Sequence, residues 1–369
     1  LVLAGAAQEP PAVLVENAQQ AIERGEADRA LQLLDTALAG DRANATALNL
    51  RCRVLYSEQQ AEYQAAYRDQ ARDWGKDQGK DEIKDQGKDQ IKDRIKDQIK
   101  DQIKQAVPLC AKAAELQPRS SEMQLWLGRA YGVQAQHAPV WKAMGLASHV
   151  RNSLEAAYRL DPHNLEAASD LGDFYVQAPH ALGGGEDRLD QLAQQVATVA
   201  PAEAHLLRAR LAEHQHDDAK AEAELHAAVA SASRTEAGQS WLELARLYGR
   251  QAKDGEMVQA LQHAVEAGPA GGPVLVEAGR LLIRKGQQPA LAEGWLREYL
   301  NGPALTEEEP AFEVHVELAR LLASESRDAE AEEQMRRAHE LASAIPLKLP
   351  HGPAENTALI EGDGKDVRH

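Results

Sequence analysis

A short hydrophobic phrase recurs along the chain. It reads Leu127-Gly128-Arg129-Ala130-Tyr131, Leu171-Gly172-Asp173-Phe174-Tyr175 and Leu244-Ala245-Arg246-Leu247-Tyr248, with Leu318-Ala319-Arg320-Leu321-Leu322 as a weaker copy. In each, a large residue precedes a small one, and apolar residues follow after a gap. On a helix these positions share one face, and the small residue marks a close helix crossing. A second phrase ends the units: Ala113-Ala114-Glu115-Leu116-Gln117-Pro118, Ala157-Tyr158-Arg159-Leu160-Asp161-Pro162 and Ala264-Val265-Glu266-Ala267-Gly268-Pro269. Here an Ala-bearing helix face stops at Pro, which cannot continue a helix; Pro201 closes a further unit in the same way. The interval Pro201–Pro269 is two periods of about 34 residues, while Pro162–Pro201 and Pro118–Pro162 run about five and about ten residues longer than one period.

This periodicity predicts about eight antiparallel helix pairs. The first spans 12–40, with Gly25 at its turn. The second begins near Asn44 and is interrupted. The others run over Ser120–Leu160, Asn164–Val199, Ala202–Ala230, Glu236–Ala267, Pro273–Leu300 and Pro310–Ser343. The extra residues of the third and fourth units are assigned to elongated turns, at 132–149 and 176–188. No alternating β-branched stretch is long enough for a strand.

The repeated phrases resemble the tetratricopeptide repeat family, whose pattern places Leu-Gly-x-x-Tyr, then Ala, an aromatic or Leu, Ala and finally Pro on a period of about 34 residues. The resemblance covers most of 14–343. It implies an all-α, right-handed α-solenoid with a concave face that takes up a peptide or protein partner. It carries over no particular binding residue.

Residues 69–105 interrupt the second unit with low-complexity sequence, as in Lys92-Asp93-Arg94-Ile95-Lys96-Asp97-Gln98-Ile99. A period of four drifts about 40° per unit around an α-helix, so the Ile row spirals. Asp93 and Lys96 are favourably spaced. A helix is expected from about 88 into Val107–Leu116. The tract reads as an expanded, solvated connection, with an oligomerisation arm as the rival, because a coiled coil keeps its apolar row on one side. Residues 344–369 read as a disordered tail.

Composition narrows the function classes. Hydrophobic residues make up 43% of the chain but aromatics only 4%, so the apolar content is chiefly Ala and Leu, which suits helix-on-helix packing. The net charge of −17 opposes binding to nucleic acid, which needs clustered Lys and Arg. No apolar run after position 10 is long enough to span a bilayer. Leu1–Pro10, with Ala4-Gly5-Ala6, matches the end of a signal peptide, which points to a periplasmic or secreted protein; the alternative is a frayed start on a cytoplasmic chain. Cys52 and Cys110 both face one helix seam if the insertion loops out. Two separate buried thiols are the expectation, with a disulfide as the alternative.

Candidate chemistry is sparse. Gly183-Gly184-Gly185 is followed by Glu186 and Asp187 rather than Lys-Ser or Lys-Thr, so it reads as a tight turn with Asp187 as a helix cap. His214 and His216 beside Asp217 and Asp218 are read as exposed turn residues rather than metal ligands. No catalytic motif is present, and neither a catalytic residue, a cofactor nor a metal is expected. Trp126, Tyr175 and Trp241 fit core positions of the repeat. Trp141 does not: it lies in the elongated third-unit turn beside His137 and Pro139, with core packing its expected role. The two elongated turns fall on consecutive units, so Trp141, His137, His180 and Asp187 are the candidate contacts for a protein or peptide partner. The sequence thus predicts a non-catalytic interaction scaffold. The second reading is an assembly protein that forms a homo-oligomer through the 69–105 arm or the solenoid ends.

Overall fold

The computed structural model describes residues 9–57, 103–233 and 236–343. The expected signal-peptide remnant (apart from Glu9 and Pro10), the tail 344–369 and most of the 69–105 insertion lie outside the described residues. Within them the chain is all helical, with no strand. The elements are α1 (Pro11–Glu23), α2 (Ala27–Gly40), α3 (45–57), α4 (103–116), α5 (Ser121–Gln136), α6 (Val140–Leu160), α7 (Leu165–Gln177), α8 (Glu186–Val196), α9 (Pro201–His214), α10 (Asp218–Ser231), α11 (Ala237–Arg250), α12 (Asp254–Ala267), α13 (Val274–Lys285), α14 (Pro289–Asn301), α15 (Ala311–Ser324) and α16 (Asp328–Leu341). Consecutive helices pack as pairs, and each pair leans on the next.

The local chemistry of these boundaries is repetitive. Asn44, Ser120 and Asn164 each cap a first helix, their side-chain oxygens accepting from the amides of Ala47, Met123 and Ala167. These caps satisfy amides that the helix itself leaves without partners. Pro118 and Pro162 follow their helices as expected. Pro201 instead opens α9, where its missing N–H costs nothing. Five of the turns inside the pairs share one geometry. Gly25, His216, Ala252, Gly286 and Ser326 all take positive φ, and the next amide bonds back to Ala21, Ala212, Tyr248, Leu282 and Leu322 respectively. That is a helix terminus closed by a left-handed residue.

The third unit differs from expectation. Residues 140–149 are not a long turn but the first part of α6, which at 21 residues is the longest described helix. Pro139 starts the helix and no further Pro follows until Pro162, so the extra length is taken up as helical rise. The turn of the fourth unit is irregular as expected, with a single 3₁₀ turn at His180–Leu182. Asp187 is not its cap: Gly185 holds that position, and Asp187 lies within the first turn of α8.

Cys52 on α3 and Cys110 on α4 form a disulfide, rather than remaining separate thiols. The bond sits in an apolar seam with Leu55, Val107, Ala130 and Val133. Two buried side chains on antiparallel partner helices therefore meet directly, which the intervening low-complexity sequence obscures.

The last pair returns to the first. Asp28, in the first turn of α2, accepts hydrogen bonds from the amide and hydroxyl of Ser343 at 3.0 and 3.1 Å. Gly25 lies so close to Ala311 that a Cβ there would fall 2.4 Å from the Ala311 amide nitrogen. Phe312, Ile22 and Val54 enclose the same small void. Arg53 forms an ion pair with Glu307, both largely buried. One continuous apolar core accordingly joins α1–α3 to α9–α16.

Candidate functional site

Two surfaces carry chemistry. The first is a line of charge along the first helices of successive pairs. Arg53 on α3 pairs with Glu122 on α5, and Arg129 on α5 reaches Glu166 and Asp170 on α7 at 2.9 and 2.6 Å. Arg210 on α9 donates to Ser169 Oγ at 2.8 Å and lies near Asp173. Arg250 pairs with Glu213, Arg246 with Glu277, and Arg280 with Glu317 and Glu309. With Arg53–Glu307 this bridging closes into a circuit. The neighbouring carboxylates hold the guanidinium groups of Arg129, Arg246 and Arg280 charged despite burial. These arginines are already committed to internal partners. Glu203 stands beside this line with its Oε1 buried and without a hydrogen-bond partner. Burial pushes its carboxyl up to about 7; Arg210 opposes this, while Glu243, Asp173 and Glu236 add to it.

The second surface is the free end of α6. Val140, Trp141 and Met144 are 79%, 71% and 53% exposed, whereas the other exposed large apolar residues, Val13, Leu116, Leu160 and Val199, are scattered singly and only 37–41% exposed. Trp141 is therefore a surface residue and not part of the core. Its ring lies 5.1 Å from the Lys142 ammonium. Beside it runs a groove of about 600 Å³ between the start of α4, the α5–α6 turn and α6, walled by Ile103, His137, Pro139, Lys142, Leu146 and His149 among others. His137 caps α5, its Nδ1–H donating to the Val133 carbonyl at 3.0 Å. His149 stacks on Tyr131 with ring centroids 4.9 Å apart.

The four residues singled out from the sequence do not converge. Trp141 and His137 sit at the tip of α6. His180 and Asp187 lie farther along α6, 3.9 Å from each other, where the turn before α8 is tied to the middle of α6 by the Arg151 guanidinium donating to the Leu182 carbonyl at 3.1 Å. The rise from 141 to 151 is about 15 Å. The sequence reading missed Val140, Lys142, Met144, Leu146 and His149 because 132–149 was assigned to a turn. Another signal was present: no Asp or Glu occurs between Glu122 and Glu155, in a chain with 58 acidic residues. Trp126 and Tyr175 are engaged as expected, Trp126 lying under Arg53 and Arg129 and Tyr175 donating to Glu155 at 3.1 Å.

The fold is decided by the small residue of the repeated phrase. Gly172 on α7 takes a close approach from Leu207 on α9, and Gly128 on α5 one from Leu154 on α6. Ala245 and Ala319 occupy the same slot fully buried. This is a tetratricopeptide-type fold. Among solved structures, the chain is similar to the thermophilic TPR protein TTC0263 of Thermus thermophilus (17% identity, 74% of this chain and 99% of that one, TM-score 0.39). It is also similar to yeast Tom70 (12%, 91% and 86%, TM-score 0.41). A tetratricopeptide repeat protein from Parabacteroides merdae matches at 14% identity, covering 82% and 98% of the two chains, with a TM-score of 0.38. No family model and no curated protein matches the chain.

Proposed function

We propose that this protein is a non-catalytic scaffold that docks a protein or peptide partner on the tip of α6, in a cell-envelope compartment. The observation that carries this reading is the concentration of exposed apolar surface at Val140, Trp141 and Met144. Such groups cost free energy when left in water, and a cluster of them marks an interaction surface more often than single exposed residues do. Trp is also the side chain most enriched at binding hot spots. The charge circuit supports the same assignment from the other side, since its arginines are spent on internal carboxylates. The seam between the first and last pairs favours a scaffold over assembly through the solenoid ends, because those ends engage each other. No helix of the described residues is long and apolar enough to cross a membrane. The Cys52–Cys110 bond supports an oxidising compartment, where disulfides persist.

The test is affinity capture from envelope and cytoplasmic fractions with the full chain and the Trp141→Ala variant. A discrete partner retained by the native chain and lost with the variant is expected, with thermal stability changed by less than about 0.5 kcal/mol because the ring is exposed. A partner captured equally by both would remove α6 from the site.

A further inference from the structure

One position of the repeat sets the line of charge. The residue after the small one of a first helix is Arg in six units: Arg53, Arg129, Arg210, Arg246, Arg280 and Arg320. In the unit of α7 it is Asp173, after Gly172. Four of these arginines reach forward along the stack. Arg53 pairs with Glu122, Arg129 with Glu166 and Asp170, Arg246 with Glu277 and Arg280 with Glu317, each on the first helix of the next pair. Glu122 and Glu166 each stand six positions before the small residue of their own helix, Gly128 and Gly172. Glu203 stands six positions before Ala209, so it occupies the slot on α9 that elsewhere receives an arginine from the preceding pair. Here the preceding pair offers Asp173 instead. The mismatch shows in the surroundings. Glu203 Oε1 is buried without a hydrogen-bond partner. Arg210, on the same helix, is turned back to Ser169 and Asp173 on α7. Glu243 on α11 is held by Arg246, and Glu236 caps that helix. Burial pushes the Glu203 carboxyl up against the pull of Arg210, and the charges of Glu243, Asp173 and Glu236 add to the rise. The Asp173 side chain is 52% exposed, so its side of the slot is open to solvent.

We infer that the slot between Asp173 and Glu203 takes an arginine side chain from a partner segment. The other pairs show the chemistry that this place accepts: a guanidinium laid between two neighbouring first helices, against a carboxylate of the next pair. Arginine suits the slot better than lysine, because its planar fork bonds two carboxylates at once and gives up water more readily. A divalent metal suits it poorly, since no three His, Cys, Asp or Glu groups of the described residues converge to hold one. The slot lies on the first helices and is independent of the docking role of α6.

Three labelled peptides with blocked termini test this. They share one uncharged sequence and carry Arg, Lys or Gln at its centre; binding to the full chain is followed by fluorescence anisotropy. The expected order is Arg tightest, then Lys, then Gln. In the free protein the Glu203 carboxyl is protonated below about 7, and a bound guanidinium requires it ionised. The Arg peptide should therefore bind about tenfold tighter at pH 8 than at pH 6. Glu203→Gln should remove both the preference for Arg and its pH dependence, without the loss of stability that would accompany unfolding. Asp173→Arg supplies the guanidinium from within the chain; it should raise the melting temperature and exclude the Arg peptide. Arg peptide binding unchanged by Glu203→Gln would overturn the inference, by showing only attraction to a surface of net charge −17. Free arginine amide binding as tightly as the peptide would overturn the partner segment in favour of a small guanidinium compound. Arg234 lies outside the described residues, two positions before Glu236. Tighter binding of the Arg peptide to Arg234→Gln than to the native chain would make the chain's own arginine the occupant and overturn the inference. Binding of none of the three peptides would also overturn it.

Discussion

Glu203 shows how a single side chain sets a pH dependence. Its carboxyl is held protonated up to about 7 by burial among other carboxylates, whereas in the unfolded chain it ionises near 4.5. Between those values the unfolded state has released a proton that the folded state still binds. Stability from this group therefore falls as pH rises from about 4.5 to about 7. Glu203→Gln removes the ionisable group and should stabilise the protein by about 2 kcal/mol at pH 8, with the gain shrinking toward pH 5. Urea titrations at the two pH values measure this; an equal gain at both would mean that ionisation is not the cause. At this scale the sequence was only partly legible. Gly25 marks a left-handed turn openly, but the same backbone conformation is taken by His216, Ala252 and Ser326, none of which announces it. The helices on either side dictate those turns and carry the strain, so local preference is overridden by packing. His216 stood out in the sequence as a polar residue near acids, and the structure assigns it to such a turn.

At the scale of elements, the repeated phrases marked the helix pairs of the described residues, because their small residues, Gly128, Gly172, Ala245 and Ala319, sit where helices cross. What it did not convey was the state of the extra residues in the third unit. Periodicity over 132–149 is weak because little of that segment is buried, and a mostly exposed stretch of helix leaves a faint pattern. The same blind spot hid the groove. The disulfide between α3 and α4 was legible only as the alternative to separate thiols, since it bridges 58 positions that include the low-complexity tract. Closing a loop of that length lowers the entropy of the unfolded chain and contributes about 4 kcal/mol on the loop-entropy account. Cys52→Ala combined with Cys110→Ala, or the native chain held in reductant, should lower the melting temperature accordingly. A melt unchanged by reductant would show that the bond does not form in solution. Protein alkylated inside cells before lysis reports the compartment: thiols that react only after reduction place the chain where disulfides survive.

At the scale of the molecule, the pairs do not form an open row. The seam of Asp28 with Ser343, Gly25 against Ala311 and Arg53 with Glu307 brings the two ends of the described chain together. Nothing in the repeated phrase encodes this, since each copy specifies only its next neighbour. Arg53→Ala would leave Glu307 buried without its guanidinium, at a cost of about 3 kcal/mol, and Asp28→Ala removes the hydrogen bonds to Ser343. The double variant should show a larger radius of gyration in small-angle scattering and a broader urea transition than the native chain. A radius unchanged from native would mean that the seam is not what holds the ends.

The seam also changes what it means for this protein to have outer repeats. In a linear stack the outermost repeat has one neighbour and unravels first, at the cost of a single interface, so peeling proceeds inward like a zip opened from its end. Here the first and last pairs each have company on both sides. Local opening cannot start there without first breaking a contact that spans almost the whole described chain, so the pairs most vulnerable in an open stack are guarded like those in its middle.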